Sequence, residues 1–388
     1  MHVTYVIDSL VEGGAERSLA AMAPFYATAG INLDVVYLKD RPGLQGELEN
    51  AGASLFCVEG AGGRIGWTQR IARLLQQRQP DLVHTTLFEA DVCGRSAAFM
   101  ARVPAVSSLV NVQYGPEHFG APQIKSWRLR AAQALDVTTA KKATRLHALT
   151  DNVANVMASR LMVPRDRIDV IPRGRDGQAL GSRTSERSAR VRRSLGIDPD
   201  MLLVLAASRH EFQKGLDVLL EAWPRVKESI PEARLVVAGR EGNLSPRLRA
   251  LVEELDLSGD VSFLGARRDV PDLMTAADAF ALPSRWEGFG SVLLEAMALG
   301  TPVVASDLPP VQEVLDDCGR LVPPGDPLAL AGTLIEVLWD RASALDRTRR
   351  ARERFEDRFA MDRVACQMVD FYERALGARG NLSSGRVA

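Results

Sequence analysis

Cysteine is scarce in this chain, and what is missing narrows its chemistry. The 388 residues hold four cysteines, Cys57, Cys93, Cys318 and Cys366, far apart and without a CxxC pair. That argues against a disulfide framework or a cysteine zinc site, and it fits a reducing cytoplasm. An excess of one charge is absent too: 48 Lys and Arg oppose 49 Asp and Glu, so the basic surplus of a bulk nucleic-acid binder is lacking and no nucleic-acid partner is expected. No apolar run approaches the roughly 20 residues that cross a bilayer. The first residues, Met1 to Asp8, lack a basic flank and are interrupted by Asp8, so they read as a strand, not a signal peptide. No GxSxG elbow, HExxH or P-loop lysine signature supports hydrolase or ATPase chemistry. Asp198-Pro199-Asp200 spells the DxD of metal-dependent sugar transferases, but it stands directly before a strand, where Asp-Pro-Asp is ordinary turn chemistry. No metal site is expected.

What is present is globular: 46% hydrophobic and 25% charged residues, enough chain for two or three domains. Short apolar runs alternate with longer amphipathic segments, the pattern of βαβ units on parallel sheets. Strands are expected near 2–7, 33–38, 54–58, 82–84, 105–108, 145–148 and 168–171. The pattern then restarts near 202–206, 234–238, 261–264, 279–282, 303–305 and 320–322. These give an α/β fold of two Rossmann-like parallel-sheet domains, residues 1–172 and 194–358. Residues 173–193 between them, rich in Gly, Ser and seven arginines, read as a solvated linker. Two open α/β sheets bind ligands at their carboxyl-edge loops, in the cleft such domains face. A last helix falls within 360–377, and the small, polar residues 377–388 read as a disordered tail.

The most informative stretch runs from Arg285 to Asp307. Glu287, Gly288, Phe289, Gly290, Ser291 and Val292 lead from an apolar strand into a helix closed by Gly300, and Glu295 follows Glu287 by eight residues. In a continuous helix these carboxylates would point roughly 80° apart, so they share a site only if Glu287 belongs to the loop. Carboxylates accept hydrogen bonds from vicinal hydroxyls, and a helix start favours an anion such as a diphosphate. Arg209 and Lys214 flank the loop after the first strand of the second half, where two cations can neutralise a diphosphate; a solvated loop is the plainer reading. Gly13-Gly14 opens a helix after the first strand, as a phosphate-approach turn or merely a tight one; the third glycine of GxGxxG is missing, which weakens a dehydrogenase reading. Of five histidines, His2, His84 and His147 read as packed or capping, His210 as a companion of Arg209, and His118 as a candidate in a Gly- and Pro-rich acceptor-side loop. Residues 121–145 combine Trp127 with six Lys and Arg and only Asp136 opposing. That segment suits either a solvated helix face or peripheral contact with an anionic membrane at its inner face.

With these residues in view, the chain resembles the retaining GT-B glycosyltransferases often called family 4, or group 1. The likeness rests on Glu287-x7-Glu295 with Ala296-Met297-Ala298-Leu299-Gly300-Thr301-Pro302-Val303-Val304. Supporting pieces are Gly13-Gly14-Ala15-Glu16-Arg17, Ile171-Pro172-Arg173-Gly174, Lys214-Gly215, Phe263-Leu264-Gly265 and Leu321-Val322-Pro323-Pro324-Gly325-Asp326. The resemblance implies transfer of a sugar from a nucleoside diphosphate, by family habit a UDP-sugar, to a hydroxyl of a glycan or lipid-linked oligosaccharide, without a metal or other cofactor. It implies that Arg209 and Lys214 hold the diphosphate, Glu287 the sugar and Glu295 the ribose. Gly288, Phe289, Gly290, Ser291 and Val292 would line the donor, Gly13 and Gly14 would close over the diphosphate, and Leu264 would face the base. The last helix would pack back on the first domain. Many relatives place a histidine just after the strand at 105–108; here Asn111 stands there and cannot act as a general base. An NDP-sugar epimerase, a phosphorylase-like enzyme and a non-catalytic sugar-nucleotide-binding partner remain as alternatives.

Overall fold

The computed structural model describes residues 1–115 and 126–384, with side chains through residue 377. It divides into two compact units, Met1–Gly174 with Met361–Ala388, and Arg175–Ala360.

Unit 1 is built on strands β1 (His2–Ser9), β2 (Asn32–Lys39), β3 (Ser54–Cys57), β4 (Leu82–Thr86), β5 (Ala105–Leu109), β6 (Arg145–Ala148) and β7 (Ile168–Val170). They form one parallel sheet ordered β3-β2-β1-β4-β5-β6-β7. Both faces are covered, so the strands read as continuous apolar runs, not alternating ones. Along β1, Val3, Tyr5 and Ile7 enter one core while Val6 enters another on the opposite face. The first of these cores also holds Met361, Val364, Met368, Phe371 and Tyr372. All five lie in the helix Met361–Ser384, which packs against the helix Gly14–Thr28 and runs on past residue 377, where a disordered tail was expected. Residues 385–388 lie outside the described residues.

Unit 2 repeats the plan with β8 (Leu202–Ala207), β9 (Ala233–Ala238), β10 (Val261–Gly265), β11 (Ala279–Leu282), β12 (Val303–Ser306) and β13 (Arg320–Val322). Its parallel order is β10-β9-β8-β11-β12-β13. Chain direction across each sheet reverses beside the first strand, between β1 and β4 in unit 1 and between β8 and β11 in unit 2. In open α/β sheets, ligands bind beyond the carboxyl ends of the strands at that reversal.

The expected linker is not one. After the unit boundary at Gly174, Gly177–Leu180 and Ser185–Ser194 are helical. Asp176 caps the first by accepting from the Gln178 and Ala179 N–H groups, and Thr184 caps the second by accepting from the Arg187 N–H. Nor are the arginines simply solvated. Arg187 pairs with Asp272 at 2.5 Å and Arg192 with Asp278 at 2.5 Å, while Arg183 donates to the Ala277 carbonyl at 2.8 Å.

Candidate active site

The loops after β8 and β11 stand at the reversal point of unit 2, and the chain stitches them together. Phe212–Lys214 forms one 3-10 turn ending at Gly215, whose φ is +62°. A Cβ there would stand 2.0 Å from the Pro283 carbonyl oxygen, so only glycine allows the two loops this approach. Across the junction the Arg285 N–H donates to the Gln213 carbonyl at 2.7 Å, and Gln213 Nε2 donates to the Trp286 carbonyl at 2.9 Å. The Arg285 guanidinium bonds both oxygens of Asp217 at 2.8 Å and lies 3.9 Å above the Phe212 ring.

This lacing brings together two of the residues singled out from the sequence. Lys214 Nζ donates to Glu287 Oε1 at 2.5 Å, and Ser284 Oγ donates to the same oxygen at 2.8 Å. Glu287 belongs to the loop and is buried, 8% exposed. An ion pair with so little water keeps much of its Coulomb attraction, and losing either partner leaves an uncompensated charge. Arg209, five positions before Lys214, is exposed and has no side-chain partner among the described residues. Its neighbour His210 is packed: buried, 5.4 Å edge-on from Phe263 and 3.0 Å from Ser245 Oγ through Nδ1. Burial pushes its pKa below the ordinary imidazole value.

Beyond Gly290 the helix Val292–Leu299 begins without a side-chain cap, in contrast to Pro327–Trp339, where Asp326 accepts from the Leu328 and Ala329 N–H groups. The Phe289 ring is buried and lies 6.0 Å from Phe359, so this side chain is packed away from any ligand and the loop can offer only its backbone there. Leu264 lies in β10, half-buried. Glu295, in the first helical turn, is held by Arg175, Nε to Oε1 3.0 Å. Neither Arg175 nor Ser284 was singled out from the sequence. Arg175 lies 120 residues from its partner, and nothing local distinguishes it from its arginine neighbours.

Unit 1 holds the remaining candidates. Gly13 is the N-cap of Gly14–Thr28, again with no side-chain cap, and a Cβ on Gly14 would stand 2.8 Å from the Arg173 guanidinium. Asn111 follows β5, and its Oδ1 accepts from the Val112 N–H at 2.9 Å. His118 lies outside the described residues. Below the carboxyl ends of the strands runs a buried chain of hydrogen bonds. Tyr26 Oη meets Tyr372 Oη at 3.0 Å, Tyr372 Oη meets His84 Nδ1 at 2.6 Å, His84 Nε2 meets Ser108 Oγ at 2.7 Å, and Ser108 Oγ meets His147 Nδ1 at 2.8 Å. His147 Nε2 then reaches the Ile171 carbonyl at 2.7 Å. Burial drives the His84 pKa well down and that of His147 to about 4, so both are neutral, packed groups. His2 pairs with Asp34 at 2.9 Å.

The DxD-like Asp198-Pro199-Asp200 forms an exposed turn closed by the Met201 N–H on the Asp198 carbonyl. Among the described residues no cluster of three His, Cys, Asp or Glu could hold a metal ion, and no helix is long and apolar enough to cross a membrane. In the basic segment, Asp136 is not the lone opposing charge of a solvated face. It is buried and accepts from Arg95 at 2.6 Å and from Tyr114 Oη at 2.8 Å.

Two doubly wound units with cations and carboxylates at the reversal edge of the second define the GT-B class. Sequence profiles agree: "Glycosyl transferases group 1" matches residues 188–354 and "Glycosyltransferase Family 4" matches residues 12–178. The D-inositol 3-phosphate glycosyltransferase of Xylanimonas cellulosilytica is 33% identical over 322 residues, covering 77% of this chain and 73% of that one. The UDP-Gal:alpha-D-GlcNAc-diphosphoundecaprenol alpha-1,3-galactosyltransferase of Escherichia coli is 30% identical over 239 residues, 61% of this chain and 60% of that one. Anabaena HepE, solved in complex with UDP-glucose, shares the fold with a TM-score of 0.86 at 24% identity, over 96% of this chain and 100% of HepE. The chain belongs to the GT-B glycosyltransferases of family 4, group 1.

Proposed function

We propose that the protein moves a glycosyl unit from a UDP-sugar to a hydroxyl of a polyol, glycan or lipid-linked acceptor, with retention at the anomeric carbon and without a metal ion. The observation that carries this reading is the Lys214–Glu287 contact at the reversal edge of unit 2. A cation and a hydroxyl-accepting carboxylate are held together there, poised to part onto a diphosphate and the sugar attached to it. UDP-glucose in HepE and the names of the two relatives support the choice of donor and acceptor classes.

In this mechanism the bond from the anomeric carbon to the diphosphate oxygen breaks as the acceptor oxygen bonds the same face. The acceptor proton passes to the departing diphosphate, so no histidine base is needed. Negative charge grows on the diphosphate, and Lys214, Arg209 and the uncapped start of Val292–Leu299 stabilise it. Glu287, still held by Ser284, accepts from a sugar hydroxyl, and Glu295 accepts from the ribose. On the acceptor side, Asn111 would donate to or accept from an acceptor hydroxyl. The exposed Trp127 with Arg128, Arg130, Lys141 and Lys142 would rest on anionic headgroups when the acceptor is lipid-linked.

The test is incubation with UDP-glucose or UDP-galactose plus inositol phosphate or a diphospholipid-linked N-acetylglucosamine, with and without EDTA, and proton NMR of the product. An α-linked product from the α-linked donor at an unchanged rate in EDTA is expected. A β-linked product would overturn retention, and loss of rate in EDTA would overturn metal independence. Conversion of the donor without acceptor would favour the epimerase reading.

A further inference from the structure

Unit 2 holds a second recess, at the opposite edge of its sheet from Lys214 and Glu287. It is an open cavity of about 540 Å³ at the amino ends of β11 and β12, since Asp278 and Pro302, directly before those strands, both line it. Leu299, Pro302, Leu338 and Leu345 give it an apolar wall, and Arg183, Arg341, Arg349 and Arg352 face it against only Asp278 and Glu353. Both carboxylates are engaged. Asp278 Oδ2 takes Arg192 at 2.5 Å and the Leu203 N–H at 2.8 Å, its Oδ1 stands 3.8 Å from Arg341, and Glu353 Oε1 takes Arg349 at 2.8 Å.

Arg183 and Arg352 are left without a carboxylate. Arg183 is half-buried, and its guanidinium meets only neutral acceptors: the Ala277 carbonyl at 2.8 Å, the Gly300 carbonyl at 3.3 Å and Thr301 Oγ1 at 3.4 Å. A cation shielded from water is ordinarily paired. Burial pushes the Arg183 pKa below the ordinary guanidinium value, and the field of Asp278 works against that shift without cancelling it. Arg352, in the helix Arg341–Arg358, is exposed and has no side-chain partner among the described residues. It passes the same glycine, for a Cβ on Gly300 would stand 3.4 Å from Arg352 Cδ. Two uncompensated guanidinium groups thus converge on Gly300, at the mouth of a cavity with an apolar wall.

We propose that this cavity binds a phosphorylated small molecule, with its phosphate between Arg183 and Arg352 and its body on Leu299, Pro302, Leu338 and Leu345. A phosphate offers an oxygen to each planar guanidinium and relieves their mutual repulsion. The volume is that of a small-molecule site and exceeds what phosphate alone would fill. The site is separate from the donor edge and does not rest on the donor reading.

The experiment is calorimetric titration of the full chain at fixed ionic strength with inorganic phosphate, phenyl phosphate and dihexanoyl phosphatidic acid below its micellar concentration. Wild type, Arg352→Gln and Lys214→Ala are compared. Phenyl phosphate should bind wild type about tenfold tighter than inorganic phosphate, because its ring covers the apolar wall. Arg352→Gln should weaken phenyl phosphate about tenfold or more, the size of losing a hydrogen bond to a charged group, whereas Lys214→Ala should leave it within about twofold. Arg352 makes no contact that the fold requires, so its variant reports binding and not unfolding. Phosphatidic acid binding tighter than phenyl phosphate would assign the site to a lipid headgroup, and the reverse order to a soluble phosphate ester. No saturable binding to wild type, affinity unchanged in Arg352→Gln, or affinity lost in Lys214→Ala instead would overturn the site. Phenyl phosphate no tighter than inorganic phosphate would overturn the ligand class.

Discussion

At the scale of single residues, the proposed chemistry is concentrated on Lys214. It reaches Glu287 only because Gly215 lets the 3-10 turn lie against the Pro283 carbonyl, and Ser284 then completes the carboxylate's contacts. Lys214→Ala should lower kcat by about a hundredfold or more, the usual cost of losing one group aimed at developing charge, and should change KM much less. Steady-state kinetics check this; equal activity would remove Lys214 from the mechanism. Much at this scale was readable from the sequence. Glycines, a lysine before a helix and a carboxylate just ahead of another glycine turn are local signals. Arg175 and Ser284 were not readable, because their meaning depends on a partner that the fold supplies.

At the scale of elements, the strands were legible. A sheet covered on both faces demands contiguous apolar runs such as Leu202–Ala207 and Ala279–Leu282, and short polar turns interrupt them. The segment 173–193 was not legible, for a physical reason. Its composition is that of a solvated linker, but Arg187 and Arg192 find Asp272 and Asp278 85 and 86 residues along the chain. Asp278 holds two groups at once, Arg192 at 2.5 Å and the Leu203 N–H at 2.8 Å through the same oxygen, and so ties the helix Ser185–Ser194 to the start of β8. Asp278→Ala should therefore destabilise the protein by about 1–3 kcal/mol, the cost of leaving partly buried donors unpaired. Thermal unfolding would show a midpoint lower by several degrees. An unchanged midpoint would return the segment to the status of a linker. The helix Met361–Ser384 was visible as an apolar pattern, but its hydrogen bond from Tyr372 to His84, 288 residues away, was not.

At the scale of the whole molecule, buried titratable groups set the pH range in which the fold holds. His147 is fully buried, and its pKa falls from 6.5 to about 4. Because the folded value lies below the unfolded one, its neutral form contributes its full stability above about pH 6.5, and that contribution is lost as pH falls towards 4, by about 3 kcal/mol in all. Asp8 and Asp91 work in the opposite sense: burial raises them to about 6 and about 7, so their contributions are lost as pH rises through those values. The clean readout is a difference. Relative to His147→Gln, wild type should lose stability between pH 6.5 and 4 in denaturant titrations. A difference independent of pH would show that His147 does not titrate with unfolding.

Both sheets share the strand order that places a ligand edge at the reversal point, and unit 2 lines that edge with Arg209, Lys214, Glu287 and Glu295. The most direct test of the proposal that this edge binds the donor is thermal unfolding of the purified protein against UDP, GDP, ADP, CMP and dTDP, with Glu295→Ala alongside. A nucleotide at about 100 times its dissociation constant should add roughly 2.7 kcal/mol and raise the midpoint by several degrees. Stabilisation by UDP above the others, lost in Glu295→Ala, is the expected result. A cooperative unfolding curve that no diphosphate moves would contradict a donor site at the carboxyl edge of β8 and β11.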